Sequence, residues 1–131
     1  MIAFCTTCWS EISATDLACP VCGMSVTDDS KSFDQKLLTA FDHPLPDARV
    51  RICWLAGRRK MREAVPPLLR LLRDPDLYVR LSALEALGEI GDVVAVPAIE
   101  SAAREKSVLI RKAARRALLQ IRTESLGKSP G

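Results

Sequence analysis

From Phe33 onward, apolar residues recur at helical spacing. The stripe Val79, Ala83, Ala86, Leu87 and Ile90 falls on one face of a helix. Strand-like alternation is absent from this stretch. Short breaks of Pro, Gly and Asp divide it into six predicted helices, at 33–42, 46–59, 62–73, 76–90, 93–105 and 107–122. Asp76, after Pro75, is placed to cap one of them, and Pro97 falls in a first helical turn, where its missing N–H does no harm. Gly88 and Gly91, with Asp92, predict a turn. Residues 1–26 read as a separate, turn-rich unit, 27–32 as a polar connector, 33–122 as the helical region and 123–131 as a flexible tail.

The helical region repeats itself without a gap at a period of 31 residues. Arg49 falls on Arg80 and Arg111, Gly57 on Gly88, and Ala64-Val65-Pro66 on Ala95-Val96-Pro97. Leu37-Leu38 falls on Leu68-Leu69, and Ala86-Leu87 on Ala117-Leu118. Such a period signals a solenoid, in which one helix pair cannot bury its own apolar face and must stack on the next. Ala83, Ala86, Ala113, Ala114 and Ala117 are small enough to permit close helix approach.

The residues Val79-Arg80, Ala83, Ala86-Leu87-Gly88, Ile90-Gly91 and Val96-Pro97 resemble the short HEAT-like repeats named after phycobilisome lyases. The resemblance covers about residues 33–121. It implies a mostly α fold, a short α-solenoid of about three helix pairs. It also implies a binding scaffold, since only a few such repeat proteins carry chemistry. The array opens on a second-type helix (33–42) and closes on a first-type helix (107–122). That last helix is expected to lack its usual partner and to show Leu109 and Leu119 on its outer side. The tail, another molecule or a second copy is expected to cover it.

Five cysteines change the picture of the N-terminal unit. Four read Cys5-Thr-Thr-Cys8 and Cys19-Pro-Val-Cys22-Gly23, two Cys-x-x-Cys pairs separated by ten residues. Four thiolates at that spacing suit one tetrahedral Zn²⁺ and leave no open position for water, so the expected metal is structural. A redox dithiol and a rubredoxin-like iron site are the alternatives. The pattern resembles a zinc ribbon, with a short hairpin expected between the pairs, in residues 9–18. A unit of this size holds no core of its own, and metal binding on the order of 10–16 kcal/mol would decide whether it folds.

Charge divides the chain in the same place. Its 131 residues carry a formal +3, but residues 1–30 hold four acids and no Lys or Arg, and residues 31–131 sum to +7. Opposite charges predict docking of the ribbon on the first repeats. Phosphate binding needs Lys or Arg, so nucleic acid is not expected on the ribbon and could associate only with residues 31–131. Trp9 is expected to pack against the knuckle or the first repeat helix rather than on a base. The recurring Arg49, Arg80 and Arg111 point to hydrogen bonding between repeats. The bases also form two clusters: Arg58, Arg59, Lys60 and Arg62 at a turn, and Arg111, Lys112, Arg115, Arg116 and Arg122 on the last helix. Scarce aromatics and neighbouring acids argue against base readout.

No catalytic set is visible. His43, the single histidine, stands before Pro44 where the next repeat has Asp74, so a turn or cap role is expected. No His-Glu dipeptide supports the hydroxylase chemistry of some HEAT-like proteins, and no residue marks a bilin site. Cys53 reads as a buried apolar thiol. No apolar run approaches a membrane span and no secretory signal is present, so the expected location is cytoplasmic. The expectation is a non-enzymatic adaptor that binds another protein. Its surface would be the groove of the second helices (Gln35, Arg70, Arg73, Glu100, Arg104) or the last helix (Lys112, Arg115, Arg116). Nucleic-acid association through the basic solenoid face and bilin-lyase-like activity are the alternatives.

Overall fold

The computed structural model describes residues 2–13, 15–24 and 33–127. The predicted connector (27–32) and the end of the tail (128–131) lie outside them. Two short strands, β1 (Ile2–Phe4) and β2 (Glu11–Ser13), pair antiparallel with Ala3 opposite Ile12 and Phe4 opposite Glu11. Six helices follow: α1 (Phe33–Leu38), α2 (Pro46–Arg58), α3 (Val65–Leu71), α4 (Leu77–Ile90), α5 (Val96–Ala102) and α6 (Val108–Gly127). The helices α2, α4 and α6 lie side by side, and α3 and α5 pack against α4 and α6. This is a short α-solenoid of helix pairs. None of its described helices is long and apolar enough to cross a membrane.

Local sequence explains the helix ends. The Asp76 carboxylate accepts the N–H groups of Tyr78 (2.9 Å) and Val79 (3.1 Å), and Asp92 accepts that of Val94 (3.0 Å). Gly91 closes α4 in the left-handed conformation, φ 77°. The predicted helices at 62–73 and 93–105 each open instead as a tight three-residue turn, Arg62–Ala64 and Val93–Ala95. Pro66 and Pro97 cannot donate to the carbonyls four residues back, so the entry closes through i→i−3 bonds, Ala64 N–H to Met61 and Ala95 N–H to Asp92. The last helix runs five residues past its expected end at 122.

The period has a physical basis at the helix crossings. A Cβ added at Gly57 of α2 would stand 2.9 Å from the Ala86 Cα of α4. One period later, a Cβ at Gly88 would stand 3.0 Å from the Ala117 Cα of α6. Gly88 therefore does not mark a turn, as the sequence suggested. It lies inside α4, where backbones meet too closely for a side chain, and only Gly91 turns the chain. Ala86 and Ala117 are the small partners that the sequence placed there, both nearly fully buried.

The recurring arginines brace the turns, and Arg49 and Arg80 reach the next one. Arg49 donates to the His43 carbonyl (2.7 Å) and pairs through Nε with the Asp74 carboxylate (2.9 Å). Arg80 reaches Glu105 (3.8 Å), the equivalent acid one repeat on. Arg111 donates to the carbonyls of Glu105 (3.2 Å) and Lys106 (3.1 Å). Arginine's fork lets one side chain hold its own turn and the next, which a lysine could not do.

Replacing Gly57 with Ala sets a propensity gain of about 1 kcal/mol against overpacking of about 1–3 kcal/mol. Because the clash is with backbone, the clash wins. The expected result is a net loss of about 1–2 kcal/mol, read as a lower urea midpoint with an unchanged slope.

Candidate functional site

The first Cys-x-x-Cys turn joins β1 to β2, so the hairpin flanks Cys5 and Cys8 rather than lying between the two cysteine pairs as expected. Both turns close in the same way. The Trp9 N–H donates to the Cys5 carbonyl (2.8 Å), and the Gly23 N–H donates to the Cys19 carbonyl (2.9 Å). Each residue has positive φ, 63° at Trp9 and 77° at Gly23. Backbone N–H groups point at sulfur: Thr7 at Cys5 Sγ (3.4 Å), Val21 (3.4 Å) and Cys22 (3.5 Å) at Cys19 Sγ. These contacts fix the position of one sulfur in each turn.

All four sulfurs lie within 4.8 Å of one another. The Cys5–Cys22 and Cys8–Cys19 pairs are 3.7 Å apart, and none of the cysteines is in a disulfide. A tetrahedron with metal–sulfur bonds of about 2.3 Å has edges of about 3.8 Å, so the quartet fits a single metal ion and is compatible with zinc. Two of the thiols depart from the ordinary value, in opposite directions. Burial pushes Cys8 up, but hydrogen bonds from the Ser10 hydroxyl and backbone and from Cys19 and Cys22 outweigh it and bring it down to about 6. At Cys22 the Met24 backbone contact pulls down, but desolvation and the neighbouring thiols Cys5, Cys19 and Cys8 push it up to about 12.

The module is anchored to the solenoid by aromatic burial. Trp9 is 1% exposed and belongs to the same core as Leu37, Phe41 and Ile52. Its ring meets Phe33 edge-on at 5.5 Å, as the sequence expectation of packing on the first repeat helix requires. Phe4 tilts against Trp54 at 6.4 Å. His43 does what its place before Pro44 suggested and one thing more. Its Nδ1 accepts the Leu45 N–H (3.1 Å), which leaves the proton on Nε2 to donate to the Thr7 carbonyl of the first cysteine turn (2.9 Å). Arg51 donates to the Ser10 hydroxyl (3.2 Å). Cys53, fully buried, is pushed up to about 12 by desolvation and by Asp74, against a smaller pull from Arg49.

The six arginines and lysines singled out for partner binding separate into distinct surfaces. Arg70 and Arg73 line a cavity of about 440 Å³ between α3 and α5, with Leu69, Leu72, Ala98 and Ala102 as its apolar surface and Glu105 opposite. Arg104 is exposed nearby but does not line it. Lys112, Arg115 and Arg116 are exposed on α6, and Arg116 lines a second groove, with Arg58, Glu85 and Glu89, between α4 and α6. The basic turn is not one patch: Arg58 stacks over Trp54 (5.3 Å), Arg59 over Phe33 (5.1 Å) with Asp34 as ion partner, and Lys60 reaches Glu124 (3.4 Å). Sequence reasoning passed over Trp54, although a signal exists. It occupies the repeat position of Glu85 and Arg116, which is a solvent position, and it is 45% exposed.

Two outcomes follow from this geometry. With Cys53 near 12, its thiolate is about one part in ten thousand at pH 8. A thiol reagent should therefore leave Cys53 unmodified in the folded chain, before and after chelation, and reach it only in denaturant. Fast modification of Cys53 in the folded chain would contradict its placement. Trp9→Gly should keep the metal stoichiometry, because glycine suits the backbone there as Gly23 does in the second turn. It should nevertheless cost the helices about 2–4 kcal/mol in urea unfolding followed by circular dichroism, the lost indole burial less the relieved strain.

Comparison with known families gives a match to HEAT repeats over residues 35–119. No curated protein matches the chain. The matched span covers α1 through most of α6, the stretch in which the glycine–alanine crossings and the arginine ladder recur, and the chain belongs to the HEAT-repeat family.

Proposed function

We propose that this chain is a non-enzymatic adaptor of the cytoplasm, whose HEAT-like solenoid binds a partner polypeptide and whose N-terminal module is a zinc ribbon holding one structural zinc. HEAT repeats generally mediate protein–protein contacts. The observation that carries the reading is the cavity between α3 and α5. Leu69, Leu72, Ala98 and Ala102 offer apolar surface there, and Arg70 and Arg73 add positive charge on the α3 side. Such a groove suits a segment with one apolar anchor and an adjacent acidic residue.

The zinc assignment rests on the four sulfurs, which all lie within 4.8 Å of one another with two pairs 3.7 Å apart. Cys5, Cys8, Cys19 and Cys22 would hold the ion, and its role is to fix the two turns, since four thiolates complete the coordination shell. Free thiols throughout suit a reducing compartment. His43 and Cys53, the residues otherwise suited to nucleophilic chemistry, are used in a turn and in the core, which supports a binding role over a catalytic one.

The test is a displayed peptide library panned on the native protein. Enriched peptides should pair an apolar residue with acids, and an Arg70→Glu/Arg73→Glu variant should bind them at least about tenfold more weakly by calorimetry, a loss of roughly 1.4 kcal/mol. Peptides indifferent to the charge reversal would refute the groove. Elemental analysis should find one zinc per chain, lost in Cys5→Ser/Cys19→Ser.

A further inference from the structure

A second cavity, of about 320 Å³, lies where the hairpin meets the solenoid. Phe4 of β1 and Trp54 and Val50 of α2 give it an aromatic and apolar lining, while Glu11 of β2 and Glu85 and Glu89 of α4 give it negative charge. The Phe4 and Trp54 rings touch, so the two modules build one continuous aromatic surface. None of the three carboxylates has an ion pair or hydrogen bond among the described residues. Against them stands Arg51, which also lines the cavity and donates to Ser10.

Aromatic faces beside unpaired carboxylates form the environment that recognises an organic cation. The molecule already shows that Trp54 accepts a guanidinium. The Arg58 side chain stacks over its ring at 5.3 Å, from the neighbouring groove between α4 and α6 rather than from this cavity. We propose that the cavity formed by Phe4, Trp54, Glu11, Glu85 and Glu89 is a docking site for an arginine side chain of a partner polypeptide. Trp54 supplies the stacking surface, the carboxylates accept the guanidinium N–H groups, and the hairpin completes the wall. The site is independent of the groove between α3 and α5, and its charge preference is the opposite one.

The experiment is a ¹H–¹⁵N titration of native, metal-loaded protein with the capped tripeptide Ac-Ala-Arg-Ala-NH₂, and with its citrulline counterpart, which has nearly the same shape but no charge. The expected result is a saturable movement of the Trp54 indole N–H and the Glu11 amide with the arginine peptide. The citrulline peptide should bind at least about tenfold more weakly. The variant Glu11→Gln/Glu85→Gln/Glu89→Gln, three substitutions at solvent-accessible positions, should keep the wild-type spectrum and lose at least about tenfold in affinity. Arg58→Ala should strengthen binding, because it removes a like charge from beside Trp54 and the carboxylates Glu85 and Glu89. No saturable shift up to about 20 mM, equal binding of citrulline, or shifts confined to α3 and α5 would each overturn the proposal.

Discussion

The structure depends on one residue that serves two frames at once. Trp9 closes the first cysteine turn through its backbone and the solenoid core through its side chain. The second turn has Gly23 at the same place, with the same hydrogen bond and nearly the same φ. An aromatic residue in the left-handed region costs about 1–2 kcal/mol, and burial of a large apolar side chain offsets about 3 kcal/mol. The balance favours Trp only because Phe33, Leu37 and Phe41 are there to receive the ring. Geometry at the sulfurs and packing in the first repeat are therefore one problem. Whatever holds the thiolates together also aims the indole.

Electrostatics play a smaller part at this junction than the opposed charges of the two segments suggest. The module does sit on the first repeats, as opposite charge predicted. Yet the polar contacts across the junction are His43 to a carbonyl and Arg51 to a hydroxyl, and among the described residues no ion pair spans it. Asp16 is used inside the module, accepting the Ser13 N–H. Long-range attraction between exposed charges is weak and screened in water, whereas a buried aromatic contact is neither. Glu11, whose carboxylate has no ion pair or hydrogen bond among the described residues, stays free to act on something else.

The sequence made legible whatever depends on local chemistry or on period. Asp76 caps because a short carboxylate before an apolar stripe does so, and the arginine ladder announced itself by recurring every 31 residues. The four cysteines were legible as a set because Cys-x-x-Cys spacing is a local constraint. What stayed hidden depends on distances between segments. Gly88 reads as a turn residue because glycine usually is one, and only the approach of Ala117 shows that it is a helix-crossing residue. The hairpin was misplaced because alternation over three residues is too short to register. The meeting of Phe4 with Trp54 joins residues fifty positions apart, a pairing that neither period nor motif could disclose.

The same crossing geometry says what kind of surface α6 presents. The position that is Gly57 in α2 and Gly88 in α4 is Leu119 in α6, and it is 64% exposed. The position that is Cys53 and Leu84, both buried, becomes the exposed Arg115. A further helix could not lie on α6 at the spacing of the α2–α4 and α4–α6 contacts, because Leu119 would be driven into its backbone, where glycine had been required. Arg115 would likewise be stripped of water at a core position. This is how a repeat array blunts its own propagation. A second copy that met α6 would have to do so with a different packing, and the exposed leucines among lysines and arginines form a face distinct from the repeat interfaces. The proposed binding role therefore rests on the concavities that the repeats and the cysteine module build between their elements.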